Sequence, residues 1–238
     1  MLKTEILIYA FAGGVLPAVL WLWFWLREDK KNPEPRRILF LTFLGGMIAT
    51  LPAAFFQFWL GSLSTSLPTI FGDLTISIVA FAAVEELVKF VASYATALRT
   101  KENDEPIDSV IYLITAALGF AALENTIFII GTLLESPTGT GLVSSIVVGN
   151  VRFVGASLLH VASSAAIGVF MGLSFYSMKL IKIIFIVSGI LMATILHAYF
   201  NFLIMNMGEI GFLLSFPFAW ILIVILILFF EKIKRVRI

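Results

Sequence analysis

Residues 74–98 read LTISIVAFAAVEELVKFVASYATAL, an apolar run with two glutamates and a lysine set inside it. Crossing a bilayer takes about 20 consecutive apolar residues, and this run has that length. An ionisable side chain placed mid-span costs about 2.5–3.5 kcal/mol on insertion scales, so Glu85, Glu86 and Lys89 each require a partner or a purpose. The stretch therefore predicts a membrane helix that carries chemistry.

The rest of the chain repeats the pattern. Apolar runs fall near residues 5–26, 38–60, 107–134, 151–177, 181–205 and 211–230, with short polar breaks between them. Seven spans follow, or eight if the weakly apolar residues 142–149 form a re-entrant or interfacial turn. The composition, 60% hydrophobic and 13% charged, lies well outside soluble usage. It predicts an all-α, polytopic transmembrane helix bundle, a single membrane domain over residues 1–238. The chemistry-bearing helices occupy about 73–205, and those at 5–26, 38–60 and 211–230 flank them. The first run follows Lys3 like a secretory signal, yet it holds Trp21, Trp23 and Trp25, lacks a small-residue cleavage site and precedes a basic cluster. It reads as a retained helix.

Lysine and arginine stay in cytoplasmic loops, which sets an expected orientation. Of the 16 such residues, only Lys3, Lys89 and Arg152 lie outside the first, third and fifth breaks and the tail. The breaks at 61–73, 135–150 and 206–210 carry none. The amino terminus is expected outside and the carboxyl terminus in the cytoplasm, most simply at the cell membrane. A net charge of +1 gives no concentrated basic face for nucleic acid, so membrane lipid is the expected surrounding. With no cysteine in the chain, disulfides, thiolate metal sites and a cysteine nucleophile are excluded. Oxygen and imidazole chemistry remains.

The other costly residues sit on three further spans. The fourth holds Glu124 and Asn125; the fifth holds His160, with Arg152 nearer its outer end; the sixth holds His197 and Asn201. These are the only two histidines. At a rise of about 1.5 Å per residue, Glu85, Glu124, His160 and His197 all lie about 14–18 Å from the outer ends of their helices. A shared layer is what one convergent site requires. Side chains three or four apart share a helix face, so Lys89 can pair with Glu85 or Glu86, and His197 stacks with Asn201. His160 heads a small-residue stripe of Ser164, Gly168 and Gly172 that favours close helix approach. Adjacent glutamates diverge by about 100°, so only one of Glu85 and Glu86 can point at a common centre. The sequence leaves the choice open but favours Glu85, with Glu86 as the structural partner of Lys89. Taken singly, each feature also has a plain structural reading: local neutralisation at 85–89, a Glu124–Arg152 pair, a hydrogen-bonded core histidine, and Asn201 joining helices.

Taken together, Glu85-Glu86-x-x-Lys89, Phe120-x-x-x-Glu124-Asn125, His160 with Gly168, and His197-x-x-x-Asn201 resemble the CAAX protease/Abi superfamily. This superfamily includes the CAAX prenyl endopeptidases and the PrsW-type proteases. Glu124 stands where the CAAX branch has histidine, and the Glu-Asn pair and the lysine look like the PrsW-type branch. The resemblance covers about residues 73–205. It implies an intramembrane protease acting on membrane-anchored substrates such as anti-sigma factors, at or near the outer face; prenylated substrates are not implied.

Peptide hydrolysis needs an activated water, a polarised carbonyl and a proton for the leaving amine. One expectation makes Glu85 the general base on a water also held by Glu124 or His160, while His197 and Asn201 donate toward the oxyanion. Glu86 completes the candidate catalytic set, and Lys89, Asn125 and Arg152 support it. A second expectation places a divalent metal such as zinc on His160, His197 and Glu124, a His-His-carboxylate set. No His-Glu-x-x-His helix specifies zinc, so both stay open. Two non-proteolytic classes also fit costly buried groups. One is a non-catalytic scaffold subunit related to the gamma-secretase scaffold; the other is an ion-coupled transporter.

Overall fold

A computed structural model describes residues 3–28, 32–66, 74–135 and 155–236. They form seven helices: α1 (Lys3–Glu28), α2 (Arg36–Ser66), α3 (Leu74–Ser93), α4 (Asp108–Glu135), α5 (Ala156–Leu173), α6 (Lys179–Asn206) and α7 (Gly208–Ile233). A single wide turn, Tyr94–Leu98, extends α3. No strand occurs among the described residues, and the chain is an all-α helix bundle. Among the described residues, six helices are long and apolar enough to cross a membrane. The remaining one, α3, carries Glu85, Glu86 and Lys89 within 20 residues. Residues 142–149 and Arg152 lie outside the described residues.

Helix α4 is the axis of the molecule. Every residue from 106 to 122 is buried, because α4 is apolar on all sides and α1, α2, α3 and α5 pack around it. A helix hydrophobic all round belongs in such a position. Helix α5 is the second inner element and carries α6 and α7 on its far side. The outer helices turn apolar rows to the surroundings: Leu180, Ile184, Val187, Leu191 and Ile195 of α6 are all exposed at helical spacing. In lipid such a row is solvated, so no hydrophobic effect holds the helices together, and close packing has to do so.

Glycines provide that closeness. A side chain at Gly46 of α2 would collide with the backbone of Ala116 in α4, and one at Gly119 of α4 with the backbone of Phe43 in α2. Gly168 of α5 lies equally tight against the backbone of Ser109 and Val110. That contact seats α5 on α4 two turns beyond His160. Between α6 and α7 stands Met207 alone, because Gly208 takes φ +54°, a left-handed conformation that glycine adopts without steric penalty. The expected break at 206–210 therefore shrinks to one residue.

The two ends of the bundle differ. At the end bearing the basic residues, Asp108 accepts the backbone N–H groups of Asp104 and Glu105 at 2.8 and 2.6 Å and so folds the preceding turn onto the first residue of α4. The Tyr112 hydroxyl donates to Glu34 and lies 3.2 Å from the Glu102 carbonyl. The opposite end is formed by the starts of α1, α3, α5 and α7 and the ends of α2, α4 and α6. Its buried polar residues include Glu85, Glu86, Lys89, His160 and His197.

Candidate active site

The two adjacent glutamates of α3 have separate surroundings. Glu86 is fully buried and accepts from four donors: Lys89 Nζ at 2.5 Å, Ser164 Oγ at 2.7 Å, Ser163 Oγ at 2.9 Å and His197 Nδ1 at 2.8 Å. Lys89 sits one turn along the same helix and is itself fully buried. Two serines of α5 and a histidine of α6 thus converge on one carboxylate of α3. Its lone pairs are largely consumed, and it holds three helices together.

Glu85 points elsewhere. Its Oε1 accepts from Gln57 Nε2 of α2 at 2.7 Å. Its Oε2 is buried and has no hydrogen-bond partner among the described residues. The nearest imidazole nitrogen is His197 Nε2 at 3.6 Å. Because Glu86 accepts from His197 Nδ1, Nε2 is the ring nitrogen that faces Glu85.

His160 lies between the two regions. Its Nδ1 is 3.1 Å from Lys89 Nζ and its Nε2 is 3.1 Å from Glu124 Oε2. The His160 and His197 rings stand edge to face with centroids 5.1 Å apart. Phe120, one turn before Glu124, packs 5.4 Å from the His160 ring and lies 5.0 Å beneath Lys89 Nζ.

A cavity of about 470 Å³ opens onto this cluster. Glu85, Glu124, His160, His197, Asn201 and Gln57 supply its polar wall, and Phe81, Phe128, Phe200 and Phe216 are among its apolar lining. Glu86 and Lys89 do not line it. One atom each from Glu85, His160 and His197 lies within 4.8 Å of the others, a grouping able to hold a metal ion. A carboxylate oxygen without a hydrogen-bond partner, 3.6 Å from a histidine ring nitrogen, fits such an ion, and two imidazoles with a carboxylate match catalytic zinc. A ligating histidine normally donates its other N–H to a carboxylate, and Glu86 lies 2.8 Å from His197 Nδ1 for that purpose.

The sequence-predicted residues therefore fall into three groups. Glu85, Glu124, His160, His197 and Asn201 share the cavity, with Glu85 in the compact triad and Glu124 bonded to His160. Glu86 and Lys89 form a buried pair behind it. Asn125 stands apart: its Nδ2 donates to Ser157 Oγ at 3.1 Å and ties α4 to the first turn of α5. Arg152 falls outside the described residues. Sequence reasoning missed Gln57 and Ser163, and it placed Ser164 only as a small residue of the packing stripe. A lone amide within Phe55-Phe56-Gln57-Phe58-Trp59 is a detectable signal, since lipid gives it no partner; a serine pair in a membrane helix is a weaker one.

Comparison with known proteins agrees with this geometry. The model of the PrsW family of intramembrane metalloproteases matches residues 34–230. Protease PrsW of Geobacillus kaustophilus is 24% identical over 204 residues, covering 84% of this chain and 82% of that protein. Protease PrsW of Bacillus subtilis is 24% identical over 215 residues (88% and 89%), and that of Oceanobacillus iheyensis 25% over 222 (90% and 91%). No solved structure matches the chain significantly. With the family match running from the loop before α2 almost to the end of α7, and so across every helix that lines the cavity, this chain belongs to the PrsW family of intramembrane metalloproteases.

Proposed function

We propose that this membrane peptidase holds a divalent metal such as zinc on Glu85, His160 and His197, and hydrolyses its substrate with Glu124 as the proton-transferring carboxylate. The observation that carries the reading is the convergence of those three ligand groups within 4.8 Å, with Glu85 Oε2 otherwise unpartnered, on a cavity inside a membrane bundle. A divalent ion bound there would polarise the scissile carbonyl and bring the pKa of water toward neutrality. Glu124 lines the cavity beside His160, would be released from its 3.1 Å contact with His160 Nε2 when that nitrogen takes the metal, and accepts the proton of the attacking water. It returns that proton to the leaving amine as the C–N bond breaks, a role worth about 10²–10⁴ in rate. Asn201, one turn beyond His197 on the cavity wall, donates toward the carbonyl oxygen as negative charge develops there. Glu86 holds the His197 ring by Nδ1, and Lys89 neutralises Glu86.

The substrate class follows the sequence resemblance: membrane-anchored proteins of the anti-sigma-factor type, cut in the outer half of the bilayer. The concentration of basic residues at the far end of the bundle supports an outward-facing cavity and a cytoplasmic carboxyl terminus.

The test uses the purified chain in nanodiscs with a single-pass reporter substrate, reading both cleavage and zinc binding. Glu85→Gln is expected to lose both cleavage and tight zinc binding. Glu124→Gln is expected to lose cleavage by about 10²–10⁴ while keeping zinc. Chelation should stop the wild-type reaction and zinc should restore it. Cleavage by Glu85→Gln at the wild-type rate would remove Glu85 from the mechanism, and full activity after exhaustive chelation would remove the metal.

A further inference from the structure

The geometry points to Gln57 of α2 as the positioning residue that aims Glu85, an inference resting on the metal site proposed above. Helix α2 carries none of the residues that the sequence motifs single out, yet Gln57 reaches across to donate its Nε2 to Glu85 Oε1 at 2.7 Å. Around it, Phe55, Phe56, Phe58 and Trp59 are exposed. Gln57 itself is half-buried and lines the cavity.

A carboxylate at the end of a glutamate side chain rotates readily about its last bond unless one oxygen is held. Here Oε1 is held by the amide and Oε2 is left without a hydrogen bond. The free oxygen is the one that lies 3.6 Å from His197 Nε2.

The type of donor matters as much as its position. Glu86, the neighbouring acid, is held by the cation Lys89 at 2.5 Å, which cancels its charge and confines it to a structural role. Glu85 is held by a neutral amide, which fixes orientation without placing a cation beside it. A divalent ion seeks such a carboxylate, and outer partners of ligating groups typically change metal affinity or activity by about 10–100-fold when removed.

Two variants test the assignment. Gln57→Met keeps similar bulk and removes the donor; Gln57→Asn keeps the amide but shortens its reach by one methylene. Each is measured in nanodiscs for zinc affinity by calorimetry, for kcat and KM on the reporter, and for melting temperature. Both are expected to weaken zinc by about 10–100-fold and to lower kcat by a similar factor, with KM and melting temperature near wild type. In a Glu85→Gln background, Gln57→Met should cause no further loss of the residual zinc affinity, because its only route to the metal is through Glu85.

Wild-type zinc affinity and kcat in both variants would overturn the assignment. So would an equal further loss in the Glu85→Gln background, or a fall in melting temperature with zinc affinity and kcat unchanged, which is the mark of a helix-joining contact. Failure of the wild-type chain to bind zinc at all would overturn this inference together with the metal site, whereas zinc binding indifferent to residue 57 would overturn this inference alone.

Discussion

Glu85 and Glu86 follow one another in the chain, and the helix turns their side chains about 100° apart. That rotation divides their roles. Glu86 meets Lys89, Ser163, Ser164 and His197, while Glu85 meets one amide and a cavity. Breaking a buried pair by removing one partner costs about 3–5 kcal/mol, because the other charge is left uncompensated. Glu86→Ala should therefore destabilise the protein by about that amount, read as a large fall in detergent melting temperature. Glu85→Gln should melt close to wild type while losing activity. Equal falls in the two variants would contradict the division. A spacing argument foresees that one acid serves structure and the other faces the centre, but Ser163, Ser164 and Gln57 are beyond it. Their partners come from helices whose rotation about their own axes is set by packing.

At the scale of elements, α4 and α5 form the rigid inner pair against which the site is assembled. His160 stands in the second turn of α5, and its position depends on how closely that helix lies on α4. Gly168 sets this approach, because any Cβ would strike the Ser109 and Val110 backbone. Gly168→Leu should cost about 1–3 kcal/mol through overpacking. It should also lower kcat strongly, since a misplacement of about 1 Å can cost about 10²-fold. Gly61→Ala, where an added Cβ would meet nothing within 4 Å, is the control and should behave as wild type in both kcat and melting temperature. Comparable losses in the two variants would mean that the crossing at Gly168 does not position the site.

At the scale of the whole molecule, the bundle has a basic end and a cavity end, and membership of the protease family sets aside the scaffold and transporter readings. The proposed orientation is directly measurable, since the chain contains no cysteine. Single cysteines placed at Ser62, exposed toward the cavity end of α2, and at Lys234, exposed after α7, report the two sides. An impermeant maleimide applied to intact cells should label Ser62→Cys and spare Lys234→Cys until the cells are opened. The reverse pattern would turn the cavity toward the cytoplasm.

The sequence by itself determined the helical bundle, because apolar runs of membrane length admit only helices or closed barrels with every backbone group satisfied. It also put Glu85, Glu124, His160 and His197 at similar rises along their helices, because rise per residue is fixed once the spans are known, and these four line one cavity. Tertiary structure alone decided which glutamate joins the two histidines, and that an amide from α2 holds it. Rise along a helix is a local property readable from one chain segment. The direction a side chain faces across a gap depends on the mutual rotation of packed helices, and that rotation is settled by glycine contacts between residues far apart in the chain.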